Sequence, residues 1–113
     1  MVRHHQRLGI RGEALAAAWY KAAGYEVVAR NWRCQAGELD LVLRRGDELV
    51  FCEVKTRTSD RFGVPAEAVT EAKQQRMRVL AARFLADFGL RGRVRFDVAC
   101  VVAGRIHVIE AAF

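Results

Sequence analysis

Residues 37–57, GELDLVLRRGDELVFCEVKTR, constrain the fold more than any other stretch, because they read as a β-hairpin with apolar side chains on both faces. The turn would be Gly46-Asp47, a two-residue loop whose leading glycine is compatible with a type II′ turn. Strands that are covered on both faces lie between packed layers. The stretch therefore predicts two adjacent antiparallel strands near the centre of a sheet.

Charged residues interrupt these strands at positions that the turn fixes. With this loop, Asp40 faces Glu53 and Glu38 faces Lys55, and a four-residue loop over 45–48 gives the same pairs. A three-residue loop would shift the register and separate them. Alternation along the strands places one apolar set on a single face: Leu39, Leu41, Leu43, Val50, Cys52 and Val54. The opposite face is apolar near the turn and charged at the open end, which predicts a polar pocket at one edge of the sheet.

This pocket would carry an excess of negative charge, because Glu38, Asp40 and Glu53 outnumber Lys55. Directly opposite carboxylates, about 5 Å apart at Cβ, repel by about 3 kcal/mol at an effective dielectric near 20. A divalent cation would balance them, and magnesium prefers oxygen ligands. A nearby lysine can orient a water or stabilise charge on phosphorus, so the pattern suits metal-assisted hydrolysis of a phosphodiester. The alternative is a surface salt-bridge network, in which Lys55 bridges Glu38 and Asp40 without a metal.

Two helices are predicted from apolar residues that recur every three or four positions. The first spans about residues 8–23 and stops at Gly24; its stripe is Leu8, Gly12, Leu15, Trp19 and Ala23. The second runs from an N-cap at Thr70 to Phe88, and Gly89 ends it. Its stripe is Met77, Leu80, Ala81, Phe84 and Phe88.

Strands account for most of the remainder. Residues 25–33 precede the hairpin, residues 57–69 carry the single proline and read as a loop, and the last two strands lie in LRGRVRFDVACVV and RIHVIE. The order is α-β-β-β-α-β-β. A chain of 113 residues forms one core, so residues 1–113 are predicted to be a single α/β domain with a mixed sheet flanked by helices.

The charge of the chain favours an anionic partner. The formal net charge is +6, and 16 of the 19 basic residues are arginine, which donates paired hydrogen bonds to phosphate. Nucleic acid is the commonest such partner. Three widely spaced cysteines suit neither a zinc site nor a disulfide framework, and no run is long and apolar enough for a membrane span. The expected location is therefore the cytoplasm.

Motifs along nearly the whole chain resemble those of the YraN-like family of small bacterial proteins. They are G-E (12–13), R-N-W-R (30–33), G-E-L-D-L (37–41), F-C-E-V-K-T-R (51–57), F-G (62–63), E-A-V-T (67–70), K-Q-Q-R (73–76) and R-F-D-V (95–98). The family is similar to archaeal Holliday-junction resolvases within the PD-(D/E)XK nuclease superfamily. The resemblance implies a restriction-endonuclease-like fold and a Mg²⁺- or Mn²⁺-dependent endonuclease acting on DNA, with branched DNA or junctions as candidate substrates.

The resemblance also implies roles for individual residues. Asp40 and Glu53 would be metal ligands, with the carbonyl of Val54 a third, and Lys55 would be the catalytic lysine. Glu13 matches a first-helix glutamate that completes the site in resolvase-like members. The predicted helical stripe places Glu13 about 120° from its centre at Trp19, which is a flanking position and equally suits a solvated glutamate. The superfamily's proline before the aspartate is absent, since Leu39 stands there.

Several basic residues are weaker candidates for nucleic-acid contact: Arg57, Arg61, Lys73, Arg91, Arg93 and Arg95. Arg57 would share a face with Lys55, whereas Lys73 extends the buried stripe of the second helix toward the pocket. Resolvase-like relatives use two sites on two strands, which implies a homodimer. The competing hypothesis is a nucleic-acid-binding module that keeps the nuclease fold without catalysis.

Overall fold

Two helices and five strands make up the structure, a computed structural model that describes residues 4–57 and 69–113, with side chains from Gly9 onward. The elements are α1 (His4–Ala22), β1 (Glu26–Cys34), β2 (Gly37–Arg45), β3 (Glu48–Arg57), α2 (Glu71–Phe88), β4 (Arg93–Val102) and β5 (Arg105–Ile109). The predicted order of elements is confirmed. Arg61 and most of the predicted 57–69 loop lie outside the described residues.

The strands form one mixed sheet in the order β1-β2-β3-β4-β5. Neighbours are antiparallel except β3 and β4, which run parallel because α2 lies between them in the chain. The predicted α/β class is confirmed, and the arrangement is consistent with a restriction-endonuclease-like fold. Among the described residues, no helix is long and apolar enough to cross a membrane.

Helix α1 covers one face of the sheet, but with a different stripe from the one predicted. The fully buried residues are Ala16, Ala17 and Tyr20, which pack on the central strands. Leu15 is 37% exposed and Trp19 is only partly buried. Ala16 and Ala17 are small, so they let the helix lie close to the sheet but contribute little to a hydrophobic pattern. The larger apolar residues Leu15 and Trp19 dominated that pattern, and the stripe predicted from them was therefore wrong.

Helix α2 covers the other face, and its ends confirm the prediction. The Thr70 hydroxyl accepts a hydrogen bond from the Lys73 N–H at 3.2 Å, and Gly89 adopts a left-handed conformation with φ of 63°. Four residues of the predicted stripe are buried: Met77, Leu80, Ala81 and Phe84. Phe88 is the exception, because it lies at the edge of this layer and is 56% exposed. Its ring contacts those of Trp32 and Phe84.

A buried carboxylate ties α1 to the sheet. Asp97 is fully buried and accepts hydrogen bonds from the Tyr20 hydroxyl at 2.6 Å, from the Ala111 N–H at 3.0 Å and from Arg95. Arg95 also pairs with Glu48 at 3.1 Å, and its side chain is 17% exposed. The prediction that Arg95 tracks a phosphate backbone is therefore wrong, because its guanidinium is occupied inside the protein.

Candidate active site

The hairpin that carries the acids has the predicted register. Strands β2 and β3 pair from Arg45 and Glu48 at the turn up to Leu41 and Cys52. The loop between them has two residues and begins at Gly46, whose φ of 61° fits the predicted turn. The two-residue turn therefore determines which residues of β2 and β3 pair in the half of the hairpin next to it.

Beyond Leu41 the two strands depart from regular pairing. A regular ladder would place Leu39 opposite Val54, but the Val54 N–H donates instead to Asp40 Oδ2 at 2.8 Å. Leu39 packs with Val42 in the layer under α2, so the predicted alternation that placed it beside Leu41 is wrong. The aspartate carboxylate thus replaces a backbone acceptor at the point where the strands separate.

Strand β1 contributes to the same point through Asn31. This residue lies between Arg30 and Trp32 in the β1–β2 ladder, at the level of Asp40, and has a left-handed φ of 51°. Asparagine tolerates that conformation better than most residues. Its Nδ2 donates to Glu13 Oε2 at 2.9 Å, which joins α1 to the sheet next to Asp40.

Glu13 lies on the buried side of α1, which corrects the flanking position expected from the sequence. At 100° per residue it lies within about 20° of Tyr20, which is fully buried. Burial raises the pKa of Glu13, the Asn31 hydrogen bond opposes this, and the charge of Glu38 raises the pKa further. A solvated surface glutamate would lack these contacts.

Asp40 is the most perturbed carboxyl group of the site. Burial is the main cause that raises its pKa to about 7, and the charge of Glu53 is the second. The hydrogen bond from Val54 opposes the rise, while Glu13 and Glu38 add to it. Three other carboxyl groups, from α1, β2 and β3, therefore lie close enough to raise the pKa of Asp40.

The lysine of the site is paired differently from the prediction. Lys55 Nζ lies 3.0 Å from Glu53 Oε1, whereas Glu38, its predicted partner, pairs with Arg33 at 3.1 Å. Burial, the largest influence, would lower the pKa of Lys55, but hydrogen bonds with Lys73 and Glu53 raise it. The contact with Lys55 is the main reason that the pKa of Lys73 is lowered. Lys55 and Lys73 therefore lie close enough for each to change the pKa of the other.

Basic side chains surround the acids. A cleft of about 130 Å³ between β3 and α2 is lined by Gly37, Glu38, Glu53, Lys73, Arg76, Met77 and Leu80. Lys73 therefore reaches the pocket, but the prediction that it extends the buried stripe of α2 is wrong, because its side chain is exposed. Arg76 and Asn31 are not among the site residues that the sequence predicts. Their only signal was their place in the K-Q-Q-R and R-N-W-R motifs.

Two candidate DNA contacts lie far from this cleft. Arg93 pairs with Asp47 at 3.0 Å at the turn end of the hairpin. In the parallel ladder of β3 and β4, Arg93 lies opposite Glu48. Lys55 lies seven positions after Glu48, about 23 Å along β3. Arg91 precedes β4 at the same end and is exposed. The structure therefore does not bring Arg91 and Arg93 to the acids.

The donors at this site suit a hard divalent cation in type and in charge. Asp40 uses Oδ2 for Val54, which leaves Oδ1 available, and the surrounding carboxylates supply further oxygens. Their spacing is a poorer fit, because the described part of the chain holds no three His, Cys, Asp or Glu side chains close enough to share one ion. A cation would have to compete with Lys55 for Glu53.

Comparison with known proteins yields one family. Residues 12–101 match the uncharacterised protein family UPF0102. A UPF0102 protein of Beutenbergia cavernae is 53% identical over 105 residues, which cover 92% of this chain and 89% of the relative. One of Rhodococcus jostii is 52% identical over 102 residues, 89% and 86% of the two chains. One of Moorella thermoacetica is 46% identical over 121 residues and covers 100% of both.

Proposed function

The chain belongs to the uncharacterised protein family UPF0102, and from its site we propose that it is a divalent-metal-dependent endonuclease that hydrolyses DNA phosphodiesters. The observation that carries this proposal is the position of Asp40, which accepts a hydrogen bond from Val54 where the strands separate and lies within electrostatic reach of Glu53, Glu13 and Glu38. Such crowding costs free energy that a bound cation would relieve. The adjacent lysine and the basic rim supply the partners that a phosphodiester needs.

Each residue has a distinct role in this proposal. Asp40 and Glu53 would hold Mg²⁺ or Mn²⁺ with the Val54 carbonyl, and the ion would act as a Lewis acid on the phosphate. Lys55 would orient the attacking water and stabilise negative charge developing on the phosphoryl oxygens. Glu13 would support the water or the ion from α1. Water attacks phosphorus, the bond to one ester oxygen breaks, and that oxygen takes a proton.

The second candidate is a nucleic-acid-binding module without catalysis. It is favoured by the contacts of the carboxylates, each of which already has a partner in the protein. Asp40 accepts from Val54, and Glu53 pairs with Lys55. If these contacts persist when DNA binds, no cation enters and no bond is cut.

We propose that the bound DNA is contacted by the cations around the site. Lys73 and Arg76 line the cleft beside Glu53, and Arg57 ends the strand that carries Lys55. Branched DNA is the preferred substrate in this proposal. A homodimer is part of it, since one site per subunit cuts one strand. Sedimentation that finds only monomer, with and without DNA, would rule out the dimer.

A cleavage assay separates the two candidates. Wild type, Asp40→Asn and Lys55→Ala are incubated with junctions, flaps, single strands and duplexes in Mg²⁺ or Mn²⁺, with binding measured in parallel without metal. Asp87→Asn and Lys21→Ala are matched controls, because both residues are exposed and remote from the site. Both site variants should lose cleavage, and only Asp40→Asn should lose metal binding as well.

The outcomes are distinct. Binding of DNA by Asp40→Asn should hold or rise slightly, because one negative charge near the phosphates is removed. A wild type that binds but never cuts supports the binding module. Cleavage by Asp40→Asn and Lys55→Ala at the wild-type rate would show that the activity does not belong to these residues.

A further inference from the structure

A second cavity of about 240 Å³ lies on the α1 side of the sheet, where β3 and β4 end. We call it the α1-side cavity. Its principal lining residues are Arg11, Gly12, Leu15, Thr56, Arg57 and Val101. It is separate from the cleft beside Lys73, which opens on the α2 side.

The lining suits a ligand with a flat apolar body and an anionic end. Leu15 and Val101 supply apolar walls, whereas Arg11 and Arg57 supply positive charge, and none of the lining residues that the structure describes is acidic. The Thr56 hydroxyl is buried and has no hydrogen-bond partner in the part of the chain that the structure describes. A buried polar atom of this kind usually has a partner. This hydroxyl is covered by Gly12 of α1, so the cavity itself presents an apolar wall beside two cations.

The closeness of the helix to the strand depends on a glycine. A Cβ atom at Gly12 would collide with the Thr56 hydroxyl, so any larger residue would push α1 away from β3. The cavity is thus built by a specific approach of the two elements and is not a gap between loosely packed side chains.

The cavity adjoins the candidate active site through the chain itself. Gly12 precedes Glu13, and Thr56 and Arg57 follow Lys55 on β3. Strand residues advance by about 3.3 Å, so Arg57 lies about 7 Å along the strand from Lys55. Arg57 interacts electrostatically with both Lys55 and Lys73. A DNA strand whose phosphate lies at Lys55 would pass around the end of β3, where Arg57 lies, and bring a neighbouring nucleotide to the cavity.

We propose that the α1-side cavity holds one unpaired nucleotide next to the scissile phosphate, an inference that rests on the proposed function. The base would lie against Leu15 and Val101, and its phosphate would lie on Arg11 and Arg57. Enzymes and single-strand binders commonly hold an unstacked base between apolar side chains in this way. The volume is slightly below the range of about 300–1,000 Å³ for drug-sized ligands, so it suits one base and excludes a base pair. DNA with unpaired nucleotides at a branch would therefore bind better than duplex.

The test uses forked DNA with 2-aminopurine at each unpaired position near the branch, one position at a time, without metal. Leu15→Glu places a negative charge in the cavity, and Ile10→Glu makes the same change on an exposed part of α1 outside it. Thr56→Val removes only the hydroxyl. Folding of all three is checked by thermal melting monitored by circular dichroism.

We expect wild-type protein to change the fluorescence at one position. Leu15→Glu should abolish that change and reduce the preference for fork over duplex about tenfold, the size of one base-stacking contact. Thr56→Val and Ile10→Glu should both retain it, because the Thr56 hydroxyl is covered by Gly12 and Ile10 lies outside the cavity. If wild type cuts DNA but no position responds, or if Leu15→Glu and Ile10→Glu have equal effects, the cavity does not hold a base. If wild type neither binds nor cuts DNA, the proposed function fails and the cavity proposal fails with it.

Discussion

Replacing Asp40 by asparagine should make the protein more stable at neutral and alkaline pH. The Asp40 carboxylate is half-buried among Glu13, Glu38 and Glu53, and it accepts one hydrogen bond from Val54. Asparagine has nearly the same shape and its oxygen still accepts that bond. The change therefore removes a charge and preserves the contact.

The magnitude follows from the pKa of Asp40, raised from 3.8 to about 7 chiefly by burial and then by the charge of Glu53. A folded-state pKa above the unfolded value means that the free energy of unfolding is highest at low pH and falls as pH rises from about 4 to 7. At 1.36 kcal/mol for each pKa unit, ionised Asp40 costs about 4 kcal/mol above pH 7. About 3 kcal/mol of this lies between pH 5 and pH 8.

The measurement is urea denaturation of wild type and Asp40→Asn at pH 5 and pH 8 in the presence of a chelator. Wild type should be less stable at pH 8 by up to about 3 kcal/mol, and the variant should lose most of that difference. A residual dependence from Glu13 is expected, since its pKa is also raised by burial. Mn²⁺ at pH 8 should restabilise wild type and leave Asp40→Asn unchanged.

Parallel pH profiles for the two proteins would refute this reasoning, because they would show that Asp40 ionises without cost in the folded state. A matched Asp87→Asn variant, in an exposed pair with Arg83, should follow the wild-type profile.

Three further outcomes are expected. Tyr20→Phe should lower the free energy of unfolding by about 1–3 kcal/mol in urea denaturation, because buried Asp97 loses a 2.6 Å hydrogen bond; an unchanged midpoint would contradict this. Thr70→Ala should cost about 1 kcal/mol by the same method, since the Lys73 N–H loses its cap. DNA affinity should fall steeply between low and physiological salt, and Lys73→Ala should reduce the slope of log K against log salt by about one. A flat salt response would exclude a phosphate-contacting surface.

The sequence by itself determined features that depend on neighbours along the chain. The Gly46 turn fixed the register of β2 and β3, because a two-residue loop leaves one pairing for its strands. Thr70 and Gly89 fixed both ends of α2, because caps satisfy backbone groups within a few residues. The family motifs pointed to the correct α/β architecture and to Asp40 as the centre of the candidate site.

Only the tertiary structure decided how α1 is rotated. Ala16 and Ala17 are fully buried although they carry little apolar surface, and Glu13 follows them onto the inner side of the helix. Their burial depends on how closely α1 approaches β3 at Gly12. That distance depends on Thr56 of β3, so the spacing of residues within α1 does not predict it.

The tertiary structure also decided which partners the charged residues take. Asp40 reaches the Val54 N–H because β2 leaves β3 after Leu41, and Leu39 then turns to the α2 layer. Alternation predicts side-chain direction only while the ladder is regular. Lys55 pairs with Glu53 on its own strand, because Glu38, which the register placed opposite Lys55, pairs instead with Arg33 of β1.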